Sequence, residues 1–138
     1  MTIRFILVVD PSEGLLAILR NELATTNYAL LQAETVLEAI GYLDLLQTEI
    51  DLVIIELQRS AVKGTDVDWP VIQQTPPHVH QIIATPGAAI PQLQHVVEAL
   101  GVDAVVHTPP SVSDWRTTME VALSGRFPEA RFVAADGV

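Results

Sequence analysis

Five short runs of apolar residues recur along the chain. Within each run the apolar residues are continuous, whereas in a half-exposed strand apolar and polar residues would alternate. The first run is Arg4–Val9 (RFILVV). The other four lie at residues 28–31, 52–55, 81–84 and 104–106. Continuous hydrophobicity is typical of parallel strands that are covered by helices on both faces. The sequence therefore predicts a buried parallel sheet.

The segments between these runs carry apolar residues at helical spacing, every three or four positions. The clearest sets are Leu15, Leu16, Leu19 and Leu23; Leu37, Ile40, Leu43 and Leu46; and Leu93, Val96, Val97 and Leu100. Two helix starts carry capping signals. In Asp10-Pro-Ser-Glu13 we expect Asp10 to be the N-cap, and Thr35 is expected to cap the next helix. A weak helix after residue 68 and a last helix after residue 111 bring the predicted number to five.

Five strands that alternate with five helices predict an α/β fold, a doubly wound parallel sheet with helices on both faces. The flavodoxin-like strand order 2-1-3-4-5 is the common solution for a chain of 138 residues. We assign residues 1–124 to this one domain. Residues 125–138 have no periodicity, so we expect a tail or a linker stub there.

Composition excludes several classes of function. Seventeen acidic residues against seven Lys plus Arg give a formal charge of −10, which argues against binding to nucleic acid or to an anionic membrane. No cysteine is present, which removes thiolate chemistry. No apolar run approaches the length of a membrane span, and the N-terminus lacks a signal-peptide cleavage site. We therefore expect a cytoplasmic protein.

Ligand sites in such sheets lie at the carboxyl ends of the strands. The stretches around those ends are FILVVDPSEGLLAILRNEL, DLVIIELQRSAVKG, HQIIATPGA and GVDAVVHTPPS. In these stretches residues 3–124 resemble a response regulator receiver domain, the phosphorelay module of two-component signal transduction. The resemblance implies a site built from an acidic pair that binds Mg²⁺, a phosphoacceptor aspartate, a switch hydroxyl and a lysine.

The acidic part of that site is altered in this chain. Asp10 matches the first acid of the pair and would be the one metal ligand, whereas Pro11 replaces the second acid. Glu56 stands where the phosphoacceptor aspartate would be. Two interpretations of Glu56 stay open: a solvated carboxylate at a strand end, or a constitutive mimic of the phosphorylated state that accepts a hydrogen bond from Thr85.

The switch part of the site is altered as well. Thr85 matches the switch hydroxyl, but Val105 replaces the switch aromatic. Thr108 replaces the lysine, and Pro109 keeps the proline that follows it. Phosphoryl transfer needs cationic charge near the transferring oxygens, and Lys63 is the only lysine in the chain.

These departures predict a degenerate receiver, a pseudo-receiver that is not an enzyme and needs no cofactor. It would act through protein partners of a signalling pathway, with a homodimer as the default assembly. The resemblance places the working surface on the last helix, the fifth strand and the fourth helix. The residues expected there are Val105, Trp115 and Met119, with Gln92 and His95.

Two alternatives remain at this stage. One is a phosphorylatable or Mg²⁺-binding response regulator with an atypical site that uses Asp10. The other is a Toprim-like Mg²⁺ site for phosphotransfer or nuclease chemistry, built from Glu56, Asp66 and Asp68. The second alternative requires its three carboxylates to converge on one ion.

Overall fold

A computed structural model describes residues 3–9, 11–56, 71, 74–86, 102, 104–108, 115–119 and 131–133. The strands are β1 (Arg4–Val9), β2 (Tyr28–Ala33), β3 (Ile50–Glu56), β4 (His80–Pro86), β5 (Ala104–Thr108) and β6 (Arg131–Val133). The helices are α1 (Glu13–Leu23) and α2 (Val36–Leu45). Residues 115–119 are also helical and are called the 115–119 helix below. The apolar positions predicted for the fourth helix lie outside the described residues.

All strand pairs are parallel, and the strand order is β2-β1-β3-β4-β5-β6. The flavodoxin-like order predicted for the first five strands is therefore confirmed. β1 lies between β2 and β3: Val9 is in register with Ala33 on one side and with Ile55 on the other. The carboxyl ends of these strands consequently meet at one end of the sheet, which is where ligand sites form in such folds.

The sixth strand is a difference from the prediction of five. β6 comes from the segment 125–138, for which we expected a tail or linker stub, and it pairs in parallel with β5. Three residues are too few to show a hydrophobic period, which is why periodicity does not reveal this strand. The placement of the domain boundary near residue 124 stays a prediction.

Each face of the sheet carries its own hydrophobic core, because successive residues of a strand point to opposite faces. On the face covered by α2 the buried residues include Leu7, Val53 and Ile83. On the face covered by α1 and the 115–119 helix they include Ile54 and Ile82. The prediction of helices on both faces is thus confirmed.

Helices α1 and α2 differ in how well their buried faces agree with the faces predicted from the sequence. In α1 all four predicted leucines are buried: Leu15, Leu16, Leu19 and Leu23. In α2 the buried residues are Ala39 and Leu43, whereas Leu37 is 83% exposed. The predicted burial of Leu37 is wrong, because α2 is apolar nearly all round and periodicity does not select one face of such a helix.

Trp115 and Met119 lie in the core and not on a surface. Trp115 is fully buried and Met119 is 4% exposed, and both belong to the cluster that contains Leu19 of α1. Their assignment to an interaction surface is therefore wrong: four-residue spacing on a helix predicts an apolar face but does not say what covers it. At the rim of this packing, Arg116 donates hydrogen bonds to the Glu22 carboxylate of α1 at 2.7 and 3.1 Å.

An ion pair joins β1 to β3 at the amino end of the sheet. The Arg4 guanidinium donates two hydrogen bonds to the Asp51 carboxylate, at 3.1 and 2.5 Å. This hydrogen bonding by Arg4 lowers the pKa of Asp51, despite its partial burial. Burial, together with the Asp51 charge, raises the pKa of the Tyr28 hydroxyl on β2. The Arg4–Asp51 ion pair helps to hold β1 and β3 in register, because its two side chains come from these two strands.

Asp51 makes the stability of the fold depend on pH. Because the pKa of Asp51 is lower in the folded state, its contribution is present above the unfolded value of about 3.9 and is lost as the pH falls through the folded value. We expect Asp51→Asn to lower the urea midpoint at pH 7, and the difference from wild type to shrink as the pH drops below about 4. Asp44→Asn, an exposed carboxamide change on α2, controls for the loss of one negative charge. A difference that stays constant down to acid pH would contradict the prediction.

Candidate functional site

The carboxyl ends of β3, β4 and β5 bring three of the predicted site residues to the same end of the sheet. Glu56 is in register with Ala84, the residue before Thr85. On the next pair of strands Thr85 is in register with His107, and Pro86 with Thr108. The backbone positions of Glu56, Thr85 and Thr108 therefore follow one another across neighbouring strands. Their predicted roles in a phosphoryl-type pocket stay predictions.

Glu56 is a buried and hydrogen-bonded carboxylate. The residue is only 9% exposed. Its Oε1 accepts a hydrogen bond from the backbone N–H of Ser12, and its Oε2 accepts one from the Ser12 hydroxyl at 3.1 Å. The interpretation of Glu56 as a solvated strand-end carboxylate is therefore wrong. A carboxylate that receives two donors is held in one orientation.

Ser12 connects Glu56 to the start of α1. Ser12 is the N-cap of α1, and its Oγ accepts a hydrogen bond from the backbone N–H of Leu15 at 3.2 Å. The same hydroxyl donates to Glu56, so Oγ donates one hydrogen bond and accepts another. The negative charge of Glu56 also lies beside the N-terminus of a helix, where the macrodipole favours an anion. The end of β3 and the first turn of α1 are thereby joined.

The predicted N-cap of α1 is wrong. Asp10 was expected to cap the helix because its spacing to Glu13 matches a capping box, but the helix begins at Glu13 and is capped by Ser12. The cap predicted for α2 is confirmed: Thr35 Oγ1 accepts from the backbone N–H of Glu38 at 3.1 Å.

Several predicted site residues lie outside the part of the chain that the structure describes. They are Asp10, Lys63, Asp66, Asp68, Gln92, His95 and Pro109. Within the described part, no group of three or more His, Asp or Glu residues is placed to hold a metal ion. The Mg²⁺ alternatives on Asp10 or on Asp66 and Asp68 consequently stay predictions. Among the described residues there is also no helix long and apolar enough to cross a membrane.

Comparison with solved structures identifies the fold. The chain superposes with a TM-score of 0.69 on the signal receiver domain of an HD domain-containing protein from Pseudomonas fluorescens, at 22% identity over 93% of this chain and 100% of that one. For the non-phosphorylated HemR receiver domain from Leptospira biflexa the TM-score is 0.68, at 21% identity over 88% and 94%. For the receiver domain of a putative Luxo repressor protein from Vibrio parahaemolyticus it is 0.70, at 17% identity over 91% and 93%.

Comparison of the sequence alone finds no relative of this chain among family models or curated proteins. The structural neighbours are nonetheless matched over nearly their whole length, so the similarity covers the complete fold and not one supersecondary unit. The chain has the fold of response regulator receiver domains.

Proposed function

We propose that this protein is a receiver-like signal-transduction module that acts through protein contacts and is not controlled by phosphorylation of a carboxylate. It is a regulatory module and not an enzyme. The receiver fold supports the general role. The observation that carries the specific proposal is the engagement of Glu56 by Ser12.

Engagement by Ser12 makes Glu56 a poor phosphoryl acceptor. An acceptor carboxylate must present a lone pair in line with the phosphorus of the donor. In Glu56 both oxygens accept hydrogen bonds, and the side chain is buried, so attack would require breaking the contact with Ser12. The extra methylene of glutamate relative to aspartate also moves the carboxylate away from the position that the family resemblance implies.

The chain also has no lysine at the position where the resemblance places the cation that transfer requires. The resemblance places Thr108 at the position of the lysine, and Lys63 is the only lysine in the sequence. The developing negative charge on the transferring oxygens would therefore lack a neighbouring ammonium. Pro11 also leaves the metal-binding pair one carboxylate short, which weakens the case for a resident Mg²⁺.

A permanent link between β3 and α1 fits a module with one signalling state. In this proposal the Ser12–Glu56 contact stabilises a single arrangement of the carboxyl end of the sheet without any added group. The partner surface would then be available continuously, and control would come from the abundance or localisation of the partners.

The test is incubation of the full chain with acetyl phosphate and Mg²⁺, followed by intact-mass measurement. We expect no mass increase corresponding to a phosphoryl group. A receiver domain that carries the standard aspartate and lysine serves as the positive control for the donor. An added phosphoryl mass that hydroxylamine removes would overturn the proposal, because hydroxylamine cleaves acyl phosphates.

Variants separate the causes of inactivity. Glu56→Asp restores the acceptor of the family pattern, and we expect it to remain unlabelled because the ammonium and the second acid are still missing. Glu56→Asp combined with Pro11→Asp and Thr108→Lys restores all three groups and is expected to gain labelling. Labelling of wild type that survives in Glu56→Gln would show that another residue accepts the phosphoryl group, which also contradicts the proposal.

A further inference from the structure

The outward face of α2 is apolar, although it faces solvent. Leu37 is 83% exposed and Leu45 is 80% exposed. Between them lies Gly41, where no atom beyond its chain neighbours and the adjacent α2 backbone comes within 4 Å of the position that a Cβ would take. Residues four apart lie on one side of a helix, so the three positions form a continuous line, called the Leu37–Gly41–Leu45 stripe below.

The stripe lies opposite the face that α2 buries. Ala39 and Leu43 pack against the sheet, and at about 100° per residue their side of the helix is roughly opposite the stripe. The two leucines therefore add nothing to the core. Exposed leucines in a row on a helix that already has a buried face are typical of a helix that packs against a second partner.

Acidic residues border the stripe on both sides. By the same helical geometry Glu38 falls on one side of the line and Asp44 on the other. Both are exposed, and α2 contains no basic residue. Gly41 at the middle leaves room for a partner helix to approach the backbone closely.

A second copy of this chain is a poor partner for the Leu37–Gly41–Leu45 stripe. Two α2 helices crossing antiparallel at Gly41 would set Leu37 of one copy against Leu45 of the other. The same symmetry would bring the two copies of Glu38 to one side of the contact and the two copies of Asp44 to the other side. Two like-charge pairs, on chains that each carry a formal charge of −10, oppose this association.

We infer that the Leu37–Gly41–Leu45 stripe docks an amphipathic helix of a partner protein whose apolar seam is flanked by Lys or Arg. Its leucines would pack against the seam, Gly41 would sit at the crossing point, and Glu38 and Asp44 would pair with the flanking cations. The inference rests on the proposed role in protein contacts and adds a surface and a partner chemistry to it. It replaces the surface around Trp115 and Met119.

The probe is a labelled synthetic helical peptide with a leucine seam flanked by lysines. The comparison peptide has the same seam flanked by glutamates. Fluorescence anisotropy with the full chain measures both affinities at low and at high salt. We expect the lysine peptide to bind at least about tenfold more tightly, a difference of about 1.4 kcal/mol, and its advantage to shrink as salt screens the charges.

Variants of exposed residues locate the binding site. Leu37→Gln and Leu45→Gln are each expected to weaken binding of the lysine peptide about tenfold. Gly41→Gln should also weaken it by filling the crossing point, while thermal stability is kept or raised because glycine disfavours helix. Ile3→Gln is the matched control: Ile3 is 57% exposed and is not part of α2, so the affinity of this variant should equal that of wild type.

Three results would overturn the inference. They are equal binding of the two peptides, lysine-peptide affinity that none of the α2 variants changes, and a concentration-dependent dimer in sedimentation that Leu37→Gln dissociates. The last result would make a second copy the occupant. None of these outcomes alters the phosphoryl-transfer measurement, so the two proposals fail separately.

Discussion

Replacing Trp115 with alanine is expected to destabilise the domain by about 3–5 kcal/mol, the range for large aromatic truncations in a core. Trp115 is fully buried, and its cluster joins the 115–119 helix to α1 and to β3 through residues such as Leu19 and Ile54. The lost contacts and the cavity left behind both contribute. Total stabilities of such domains are about 5–15 kcal/mol, so the loss is a large fraction. Equilibrium unfolding in urea, followed by far-UV circular dichroism, measures it.

Trp115→Phe is the matched variant. The indole N–H is buried, and among the described residues it has no hydrogen-bond partner. Phenylalanine keeps an aromatic ring and removes that unsatisfied donor, so we expect Trp115→Phe to cost much less than Trp115→Ala. If Trp115→Ala stayed within about 0.5 kcal/mol of wild type, the residue would behave like a surface position, and its placement in the core would be refuted.

Glu56→Ala is expected to lower stability by about 1–3 kcal/mol, because it removes a buried carboxylate that accepts a hydrogen bond from the backbone N–H of Ser12. The Ser12 hydroxyl loses its acceptor too. Glu56→Gln retains one carbonyl oxygen and should cost less. Glu34→Ala removes an exposed carboxylate just after β2 and controls for the change in charge. The urea midpoints of the four proteins give the comparison.

A double-mutant cycle isolates the contact itself. Ser12→Ala removes the hydroxyl that bonds Glu56 and caps α1, and the loss of the cap alone costs about 1 kcal/mol. If the hydroxyl and the carboxylate interact as the structure shows, the combined loss in Ser12→Ala with Glu56→Ala is smaller than the sum, by about 0.5 kcal/mol or more. Strict additivity would show that the Ser12 hydroxyl and the Glu56 carboxylate do not interact.

The strands and α1 could be predicted because their patterns of apolar residues are each compatible with only one type of secondary structure and one pattern of burial. The continuous runs of β1, β3 and β4 match strands that are covered on both faces, and the four leucines of α1 leave room for only one buried face. α2 differs: Leu37, Ile40, Leu43 and Leu46 satisfied the period, yet Ala39 is buried and Leu37 is exposed. A helix with apolar residues on every side does not reveal its orientation.

The core position of Trp115 was hidden for a related reason. A large apolar residue on a helix is equally compatible with a core and with an interface, and only the packing of α1 against the same face of the sheet decides between them. The family resemblance pointed to the wrong choice.

The contact at the candidate site depends on the tertiary structure. Glu56 was singled out from its place at the end of a strand, but its partner Ser12 lies 44 residues earlier in the chain. No local pattern connects Ser12 with Glu56. The spacing from Asp10 to Glu13 favoured Asp10 as the N-cap, and Ser12 was therefore not predicted to have this role. The parallel pairing of β1 with β3, in which Val9 meets Ile55, brings Ser12 and Glu56 together.

The sixth strand also covers one edge of the sheet, beside β5. Without β6, the outer backbone amides and carbonyls of the five-residue β5 would be unpaired, and such a row is a template for strands of other molecules. β6 pairs with the first three residues of β5, Ala104 to Val106, and leaves at that edge of the sheet a strand of only three residues, which offers little to an incoming chain. Deletion of residues 131–133 would therefore expose β5 as an edge strand and make the protein more prone to aggregate.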